Sequence, residues 1–253
     1  MSELLTEVRD GVLVVTINRP QAKNAVNGAV AEGIAAAMDE LDSNPDLRVG
    51  VLTGAGGVFC AGMDLKAFVA GETPMLPGRG FGGLTEAPPK KPLIAAVEGW
   101  ALAGGFELAL ACDMIVASSA AKFGVPEVKR GLFAAGGGVV VLHKRIPRAL
   151  AMEMVLTGDP ITAERAAEIG LVNRIVEPEI ALDGALALAA TIAANGPLSV
   201  AVSKELITRS ADMSIAEAWE DQNSYFDKVF NSEDAKEGAT AFAEKRAPEW
   251  KGR

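Results

Sequence analysis

The sequence of 253 residues predicts an α/β protein with a parallel sheet in its first part and helices in its last part. Short apolar segments alternate with segments of helical periodicity as far as Ala149, which is typical of βαβ units. After Ala149 strand patterns nearly vanish and helical patterns take over. Asn195-Gly196-Pro197 combines a helix stop with a proline start. We therefore place a domain boundary between segments 1–196 and 197–253.

The predicted elements of the first part begin with a hairpin. Its strands are Leu5–Arg9 and Val12–Ile17, joined by a turn at Asp10–Gly11. Gly71–Pro89 is rich in glycine and proline and is predicted to be a mobile loop. The other elements are a helix at Gly28–Leu41, a strand at Arg48–Thr53, a short helix from about Asp64, a strand at Pro92–Val97, a helix at Gly104–Cys112 and a strand at Met114–Ala117.

Six helical patterns are predicted for the rest of the chain. Ser214-Ile-Ala-Glu217 has the form of a capping box, and Ser232 is a suitable N-cap. The six patterns are Ala149–Thr157, Thr162–Ile169, Ile180–Ala194, Leu198–Thr208, Ser214–Phe230 and Glu233–Arg246.

Composition and charge exclude several classes of function. A net charge of −9 argues against a nucleic-acid surface, which requires a basic patch. The longest apolar stretch, Ala101–Ala120, is interrupted by Glu107 and Asp113, so no membrane span is predicted. The N-terminus has no apolar signal segment. Cys60 and Cys112 lie in apolar surroundings without CxxC spacing, which indicates buried, reduced thiols and a cytoplasmic protein.

Two glycine-rich passages lead from a strand into a helix. Gly104 and Gly105 open the first such helix, where backbone N–H groups lack intrahelical partners and a ligand can approach closely. A developing oxyanion suits such a place, although a tight turn without a ligand is the alternative. Gly56–Leu65 is the second passage and is expected to supply another donor to the same oxyanion.

Two glutamates suggest acid–base chemistry. Glu107 lies within the apolar Phe106–Cys112, where a carboxylate is costly to bury unless it is paired or protonated. A structural glutamate bonded to backbone is the alternative. Glu127 follows the strand Met114–Ala117, so both side chains are expected near the carboxyl ends of neighbouring strands. Two adjacent carboxylates do not both ionise easily, which provides one acid and one base.

In order and spacing, these residues resemble the crotonase superfamily of enoyl-CoA hydratases and isomerases. The resemblance covers essentially the whole chain. It implies a crotonase-like spiral of ββα units in residues 1–196 and a C-terminal helical trimerisation domain in 197–253, hence a homotrimer or a dimer of trimers. The motifs are Asn18-Arg-Pro with Asn24-Ala25, Phe59-Cys-Ala-Gly-Met-Asp-Leu65, Gly104-Gly-Phe-Glu107, Phe123-Gly-Val-Pro-Glu127, Thr157-Gly, Ala166–Val172 and Glu244–Gly252.

The resemblance also implies an activity, which is addition of water to a trans-2-enoyl-CoA thioester. No metal or redox cofactor is expected, because the thioester alone makes the β-carbon electrophilic, and coenzyme A itself is part of the substrate. By resemblance, the amides of Met63 and Gly104 form the oxyanion hole, while Glu107 and Glu127 hold the water and move the proton at the α-carbon. The positions implied to line the CoA moiety are Ala22, Lys23, Ala61, Asp64, Leu65 and Lys66.

One departure from the family pattern lies at Phe133–Gly138, where many members have Pro-Gly. The amide of Ala135 can still contact the water, but its methyl group narrows the site. No aspartate stands in this segment, so the nucleophile of the dehalogenase branch is missing. Two alternatives stay open: an enoyl-CoA isomerase that relies mainly on Glu127, and a non-catalytic acyl-CoA-binding protein.

The basic residues near the only histidine are predicted to be structural. His143 lies among apolar and basic residues, so a surface role is favoured over that of a hydrolase base. Lys144, Arg145 and Arg148 are interpreted as a solvated helix end, with a phosphate contact for CoA as the alternative. The acyl chain is not revealed by the sequence, although its tail is expected to meet the Gly71–Pro89 loop.

Overall fold

The structure is a computed structural model and describes residues 2–253. The strands in that range are β1 (Leu4–Arg9), β2 (Val12–Ile17), β3 (Val49–Gly54), β4 (Met75–Leu76), β5 (Gly80–Phe81), β6 (Leu93–Val97), β7 (Trp100–Leu102), β8 (Met114–Ser118), β9 (Lys122–Gly124), β10 (Ile161–Thr162) and β11 (Arg174–Val176). The α-helices are α1 (Gly28–Ser43), α2 (Leu65–Val69), α3 (Gly104–Ala111), α4 (Gly138–Arg145), α5 (Arg148–Thr157), α6 (Ala163–Glu168), α7 (Ala181–Ala193), α8 (Pro197–Ser210), α9 (Ile215–Ser224), α10 (Phe226–Phe230) and α11 (Glu233–Glu244).

A six-stranded sheet with the order β1-β2-β3-β6-β8-β11 forms the centre of the fold. Its first two strands form the predicted antiparallel hairpin, and Asp10 and Gly11 both have positive φ, as a tight two-residue turn requires. Every later pair in this sheet is parallel. The α/β class predicted from the sequence is confirmed.

The two faces of this sheet pack against different helices. Val12 and Val14 belong to a core cluster that α7 completes, whereas Leu13 and Val15 belong to a larger cluster shared with α1 and α3. Successive side chains on a strand point to opposite faces, so a sheet that is covered on both faces needs continuous apolar strands. This explains why β2, β3 and β6 carry apolar residues on both faces, with Thr16 and Thr53 as the only polar residues in the three strands.

Four short strands, β7, β9, β10 and β11, were missed by the sequence analysis. β7 and β9 pair in parallel and β10 joins them in a separate three-stranded sheet. β11 extends the main sheet beside β8, in the region where only helices are predicted. Segments of two or three residues are too short to display the alternation that identifies a strand.

The Gly71–Pro89 segment differs from its prediction as a mobile loop. It contains the small hairpin of β4 and β5, and it buries Phe81 and Leu84 in the main core cluster. Its glycines permit the tight turns, but two large apolar side chains fix the segment to the core. The prediction of mobility is wrong for the part around these two residues.

Helices α8 to α11 follow the hinge at Asn195–Pro197. The capping box of Ser214 with Glu217 is present, and the Ser232 side chain accepts a hydrogen bond from the Ala235 amide. The single helix predicted for Ser214–Phe230 is wrong, because it breaks at Tyr225, whose hydroxyl donates to Glu205 on α8 at 2.6 Å. The domain boundary itself stays a prediction.

Among residues 2–253, no single helix is both long and apolar enough to cross a membrane. Within these residues, only α7 and α8 taken together have the length and composition of a membrane span, and the two helices are bent by 109° relative to each other.

Candidate active site

The small sheet brings the two glutamates to one place. β7 leads directly into α3, which carries Glu107, and β9 leads into a 3₁₀ turn at Pro126–Arg130, which carries Glu127. Because β7 and β9 are paired and parallel, both carboxyl ends lie at the same edge. The prediction of neighbouring strands therefore agrees with the structure, but the strands are those of the small sheet rather than Met114–Ala117.

Glu107 is buried, with 4% of its surface exposed. Its Oε1 accepts a hydrogen bond from the Gly138 amide at 2.8 Å. Burial raises its pKa to about 7, and the charge of Glu127 acts in the same direction, while the amides of Gly138 and Gly136 oppose the shift. Near neutral pH both the protonated and the ionised form of this carboxyl are therefore populated, as an acid–base catalyst requires.

Glu127 has an oxygen without a partner. Its Oε2 is buried and accepts no hydrogen bond from any residue between 2 and 253. Burial raises the pKa of this carboxyl too, while its own backbone amide and the charge of Arg130 oppose the shift. A buried polar atom in a native protein normally has a partner. The free oxygen is thus suited to a proton, a water molecule or a reacting group.

The Met63 amide is one candidate oxyanion donor. Val26 donates its N–H to the Gly62 carbonyl at 2.8 Å, and the Val26 carbonyl accepts from Asp64 at 2.8 Å. These two bonds surround Met63 but leave its own N–H unused by the described residues. Since the Gly62 carbonyl and the Met63 N–H belong to one trans peptide, the N–H points away from Val26.

The Gly104 amide is the second candidate donor. It begins α3, and the Ala103 carbonyl before it accepts from Phe106 and Glu107 in the first turn of the helix. The Gly104 N–H therefore points out of the helix end, where it has no acceptor among residues 2–253. A Cβ placed on Gly62 would stand only 3.2 Å from the Gly104 nitrogen, so the two donor segments touch.

Most of the predicted CoA-lining residues lie together. The Ala61 amide donates to the Lys23 carbonyl at 3.0 Å, so the turn carrying Ala22 and Lys23 runs beside the segment from Ala61 to Lys66. Lys23, Leu65 and Lys66 are exposed. The Asp64 carboxylate instead caps α2 and pairs with Arg19 at 2.8 Å. Ala135 is exposed and lies in a different loop. Contact of these residues with CoA stays a prediction.

The basic residues around His143 have structural contacts. His143 is exposed on α4. Arg145 donates to the carbonyls of Leu110 and Cys112 at 3.1 and 2.9 Å, which satisfies the end of α3. Lys144 pairs with Asp212 at 2.6 Å. Two of the three cations suggested for a CoA phosphate thus have other partners within the chain.

The two cysteines are buried and free, as predicted. Burial raises the pKa of the Cys60 thiol to about 12 and raises that of Cys112 as well, so both are protonated at neutral pH. No group of three potential metal ligands occurs among residues 2–253.

Sequence reasoning missed the glycines that surround Glu107. A Cβ on Gly136 would lie 2.7 Å from Glu107 Oε2, and one on Gly138 would lie 2.5 Å from the Ala134 side chain. The sequence analysis assigns a role in the segment Phe133–Gly138 only to the amide of Ala135. Its glycines give the backbone close access to a buried carboxylate, a contact that spans 31 residues of sequence.

The raised pKa of Glu107 predicts a pH effect on stability. Its folded value of about 7 exceeds the ordinary 4.5, so the folded state holds the proton more tightly. Stability from this group is full below the ordinary value and falls as the pH rises to about 7. Glu107→Gln should therefore remove part of the loss in unfolding free energy between pH 4.5 and about pH 7. Urea titrations of both proteins measure this. Identical pH dependence in the two proteins would contradict a raised pKa.

Comparisons with known proteins identify the family to which the chain belongs. The family model described as enoyl-CoA hydratase/isomerase matches residues 7–253. The chain is 45% identical to carnitinyl-CoA dehydratase of Salmonella arizonae, with 100% of both covered. It is 45% identical to enoyl-CoA hydratase EchA19 of Mycobacterium tuberculosis, over 99% of this chain and 97% of the relative. The crystal structure of enoyl-CoA hydratase EchA1 from Mycobacterium marinum matches with a TM-score of 0.98 at 58% identity, over 100% of each chain. The predicted crotonase-like fold is thereby confirmed.

Proposed function

The chain belongs to the enoyl-CoA hydratase/isomerase family, and we propose that it is a hydro-lyase that adds water reversibly to a trans-2-enoyl-CoA. The product is a 3-hydroxyacyl-CoA. The observation that carries the proposal is the pair formed by the buried Glu107 and the half-buried Glu127, two carboxyls with raised pKa values at one edge of the small sheet.

The proposed mechanism uses both carboxyls on one water molecule. The water attacks the β-carbon of the conjugated thioester and loses a proton, while the α-carbon gains one. Glu107 is held by the Gly138 amide, and Glu127 has a free oxygen, so one water can lie between a fixed and an open carboxyl. Because their charges repel, one carboxyl carries a proton and the other accepts one.

The thioester oxygen is proposed to accept from the Met63 and Gly104 amides. Negative charge develops on this oxygen as water adds, and two fixed N–H donors stabilise it without reorganising. Neither donor has an acceptor among residues 2–253, and the peptide planes that carry both are held on their carbonyl sides. The conjugated thioester is itself electrophilic, so the proposal requires no metal or redox group.

A cavity of about 820 Å³ is the proposed site of the acyl chain. It extends from Glu107 along α3 to Asp113 and α8, and Thr85, Pro88 and Pro89 supply part of its wall. An acyl group with its carbonyl at the start of α3 and its β-carbon at Glu107 would continue along this helix. The volume lies within the usual range for small-molecule sites and exceeds what a four-carbon acyl group needs.

Blocking this cavity should affect long acyl chains only. Ala201 lines the cavity from α8, and Ala201→Trp places a large ring in its path. We expect kcat/KM for an enoyl-CoA of about ten carbons to fall roughly tenfold or more, while that for crotonyl-CoA changes little, because one lost methylene contact costs about 10-fold. Ala187 is exposed on α7 and does not line the cavity, so Ala187→Trp is the matched control. Equal losses on both substrates would contradict this placement of the chain.

We also propose that the chain forms homo-oligomers through residues 197–253. Large apolar side chains are exposed on these helices, which is unusual for a surface that stays in water. A sedimentation measurement should give a trimer or a multiple of it, and a monomer at micromolar concentration would contradict the proposal. The exposed apolar residues are Ile207, Ile215, Trp219, Phe226, Phe230 and Phe242.

The absorbance of the conjugated thioester tests the proposed reaction. Hydration of a trans-2-enoyl-CoA removes the conjugation, so the absorbance should fall with multiple turnovers. An isomerase would instead create absorbance from a trans-3-enoyl-CoA and leave the trans-2 compound unchanged. A binding protein would change neither, although it would retain the thioester. Either of the last two results would replace the hydratase proposal.

A further inference from the structure

Arg19 lies close to the candidate oxyanion hole but outside it. It follows β2, and only 12% of its side chain is exposed. The guanidinium has three partners: Nε donates to Glu3 at 3.1 Å, Nη1 donates to the Ala25 carbonyl at 2.5 Å, and Nη2 donates to Asp64 at 2.8 Å. A largely buried cation with all its nitrogens occupied is fixed in both position and direction.

The contact with Ala25 begins a chain of hydrogen-bonded peptides. The Ala25 carbonyl and the Val26 N–H are opposite ends of one trans peptide. Val26 donates to the Gly62 carbonyl at 2.8 Å, and the other end of that second peptide is the Met63 N–H. The guanidinium and the free Met63 N–H are thus joined head to tail through two peptide groups.

We propose that Arg19 is a positioning residue that orients and polarises the Met63 N–H through the peptides Ala25–Val26 and Gly62–Met63. This inference rests on the proposed function, since it assumes that the Met63 amide binds the thioester oxygen. A cation at the carbonyl end of a peptide draws electrons toward itself and makes the N–H at the other end a stronger donor. Hydrogen bonds in such chains strengthen one another.

The surrounding residues hold the chain of peptides in place. Asn24 is fully buried, accepts from the Arg19 amide at 2.9 Å and donates to the Ala55 carbonyl at 2.8 Å. Lys23 and Asn24 both have positive φ, a conformation that is kept only when neighbouring contacts enforce it. Asp64 anchors Arg19 on the far side and also caps α2, directly after Met63. Burial alone would raise the pKa of Asp64, but Arg19 and the two capping amides hold it below its ordinary value.

Infrared spectroscopy can measure this polarisation directly. The probe is crotonyl-CoA with carbon-13 at the thioester carbonyl, bound to the full chain carrying Glu107→Gln and Glu127→Gln to prevent turnover. Binding should lower the carbonyl stretching frequency, and adding Arg19→Met should move it back toward the value in solution. In the otherwise unaltered enzyme, Arg19→Met should lower kcat about tenfold with little change in KM, less than the 10²–10³ lost with a whole oxyanion donor.

Two further variants separate polarisation from general stability. Glu3→Gln breaks one ion pair of the same guanidinium but keeps the bond to Ala25, so the frequency should stay at the bound value. Arg19→Lys keeps the charge but cannot contact all three partners at once, so it should give an intermediate frequency. This variant also provides the test if Arg19→Met does not fold. The inference is wrong if Arg19→Met or Arg19→Lys leaves the bound frequency unchanged, or if Glu3→Gln shifts it as strongly. If binding to the protein with only Glu107→Gln and Glu127→Gln left the carbonyl frequency at its value in solution, the proposed oxyanion hole itself would be refuted.

Discussion

Glu107→Gln and Glu127→Gln should each lower the hydration rate of a trans-2-enoyl-CoA by about 10²–10⁴, the usual loss when a positioned acid or base is removed. Glutamine preserves the size of each side chain but can neither take nor give the proton. Glu107 and Glu127 are expected to act on one water, so neither is dispensable. Thioester affinity should change little, because neither carboxyl is proposed to bind the CoA moiety. Steady-state kinetics with direct binding measurements separate the two effects.

The double variant adds a stricter test. When two residues act as a unit, replacing both lowers the rate by a smaller factor than the product of the two single factors. Glu107→Gln with Glu127→Gln should therefore be only slightly slower than the worse single variant. Asp46→Asn, at an exposed carboxyl between α1 and β3, is a suitable control for loss of charge. A rate that survives Glu107→Gln would refute the two-carboxylate mechanism. If only Glu127→Gln abolished turnover, the isomerase alternative would be favoured.

Gly104→Pro should lower turnover by about 10²–10³, because it deletes one of the two proposed oxyanion donors. Proline is tolerated at the first position of a helix, where its missing N–H has no intrahelical partner. The substitution also introduces a Cβ, however, and a Cβ at this position would lie 2.3 Å from the Phe81 ring. Some loss of activity is therefore expected from packing alone.

Gly104→Ala is the matched control for that packing effect. It introduces the same Cβ against Phe81 but keeps the N–H. The ratio of the two turnover numbers then reports the donor itself, provided that both proteins fold by circular dichroism. Equal turnover in Gly104→Ala and Gly104→Pro would show that this amide does not bind the thioester oxygen.

The sequence identified most of the main sheet, because its strands are apolar and bounded by turn residues. The hairpin of β1 and β2, and strands β3, β6 and β8, lie where their patterns predict. Glu107 was recognisable as a carboxylate within an apolar helix, and Gly104-Gly105 as a glycine-rich helix start. These signals are local in sequence. The first reflects the free-energy cost of burying a carboxylate, and the second reflects the conformational freedom of glycine.

The remaining features depend on contacts between distant segments. The Gly138 amide that fixes Glu107 lies 31 residues away, and Phe81 reaches Gly104 from a loop predicted to be mobile. The link from Arg19 to the Met63 N–H runs through backbone groups of Ala25, Val26 and Gly62. Backbone groups are the same for nearly every residue type, so the sequence contains no pattern that would reveal this link. β7 and β9, the strands that bring both glutamates together, are only three residues long each. A three-residue strand gives no periodic signal.

Incorporation of solvent oxygen tests the central claim most directly. A trans-2-enoyl-CoA is incubated with the enzyme in water enriched in oxygen-18, and the mass of the resulting thioester is measured over time. Hydration at Glu107 and Glu127 predicts a 3-hydroxyacyl-CoA that carries one labelled oxygen at the β-carbon, formed rapidly by the unaltered protein and far more slowly by the double glutamine variant. Rapid labelling by that variant, or an unlabelled isomer as the only product of the unaltered protein, would contradict the account.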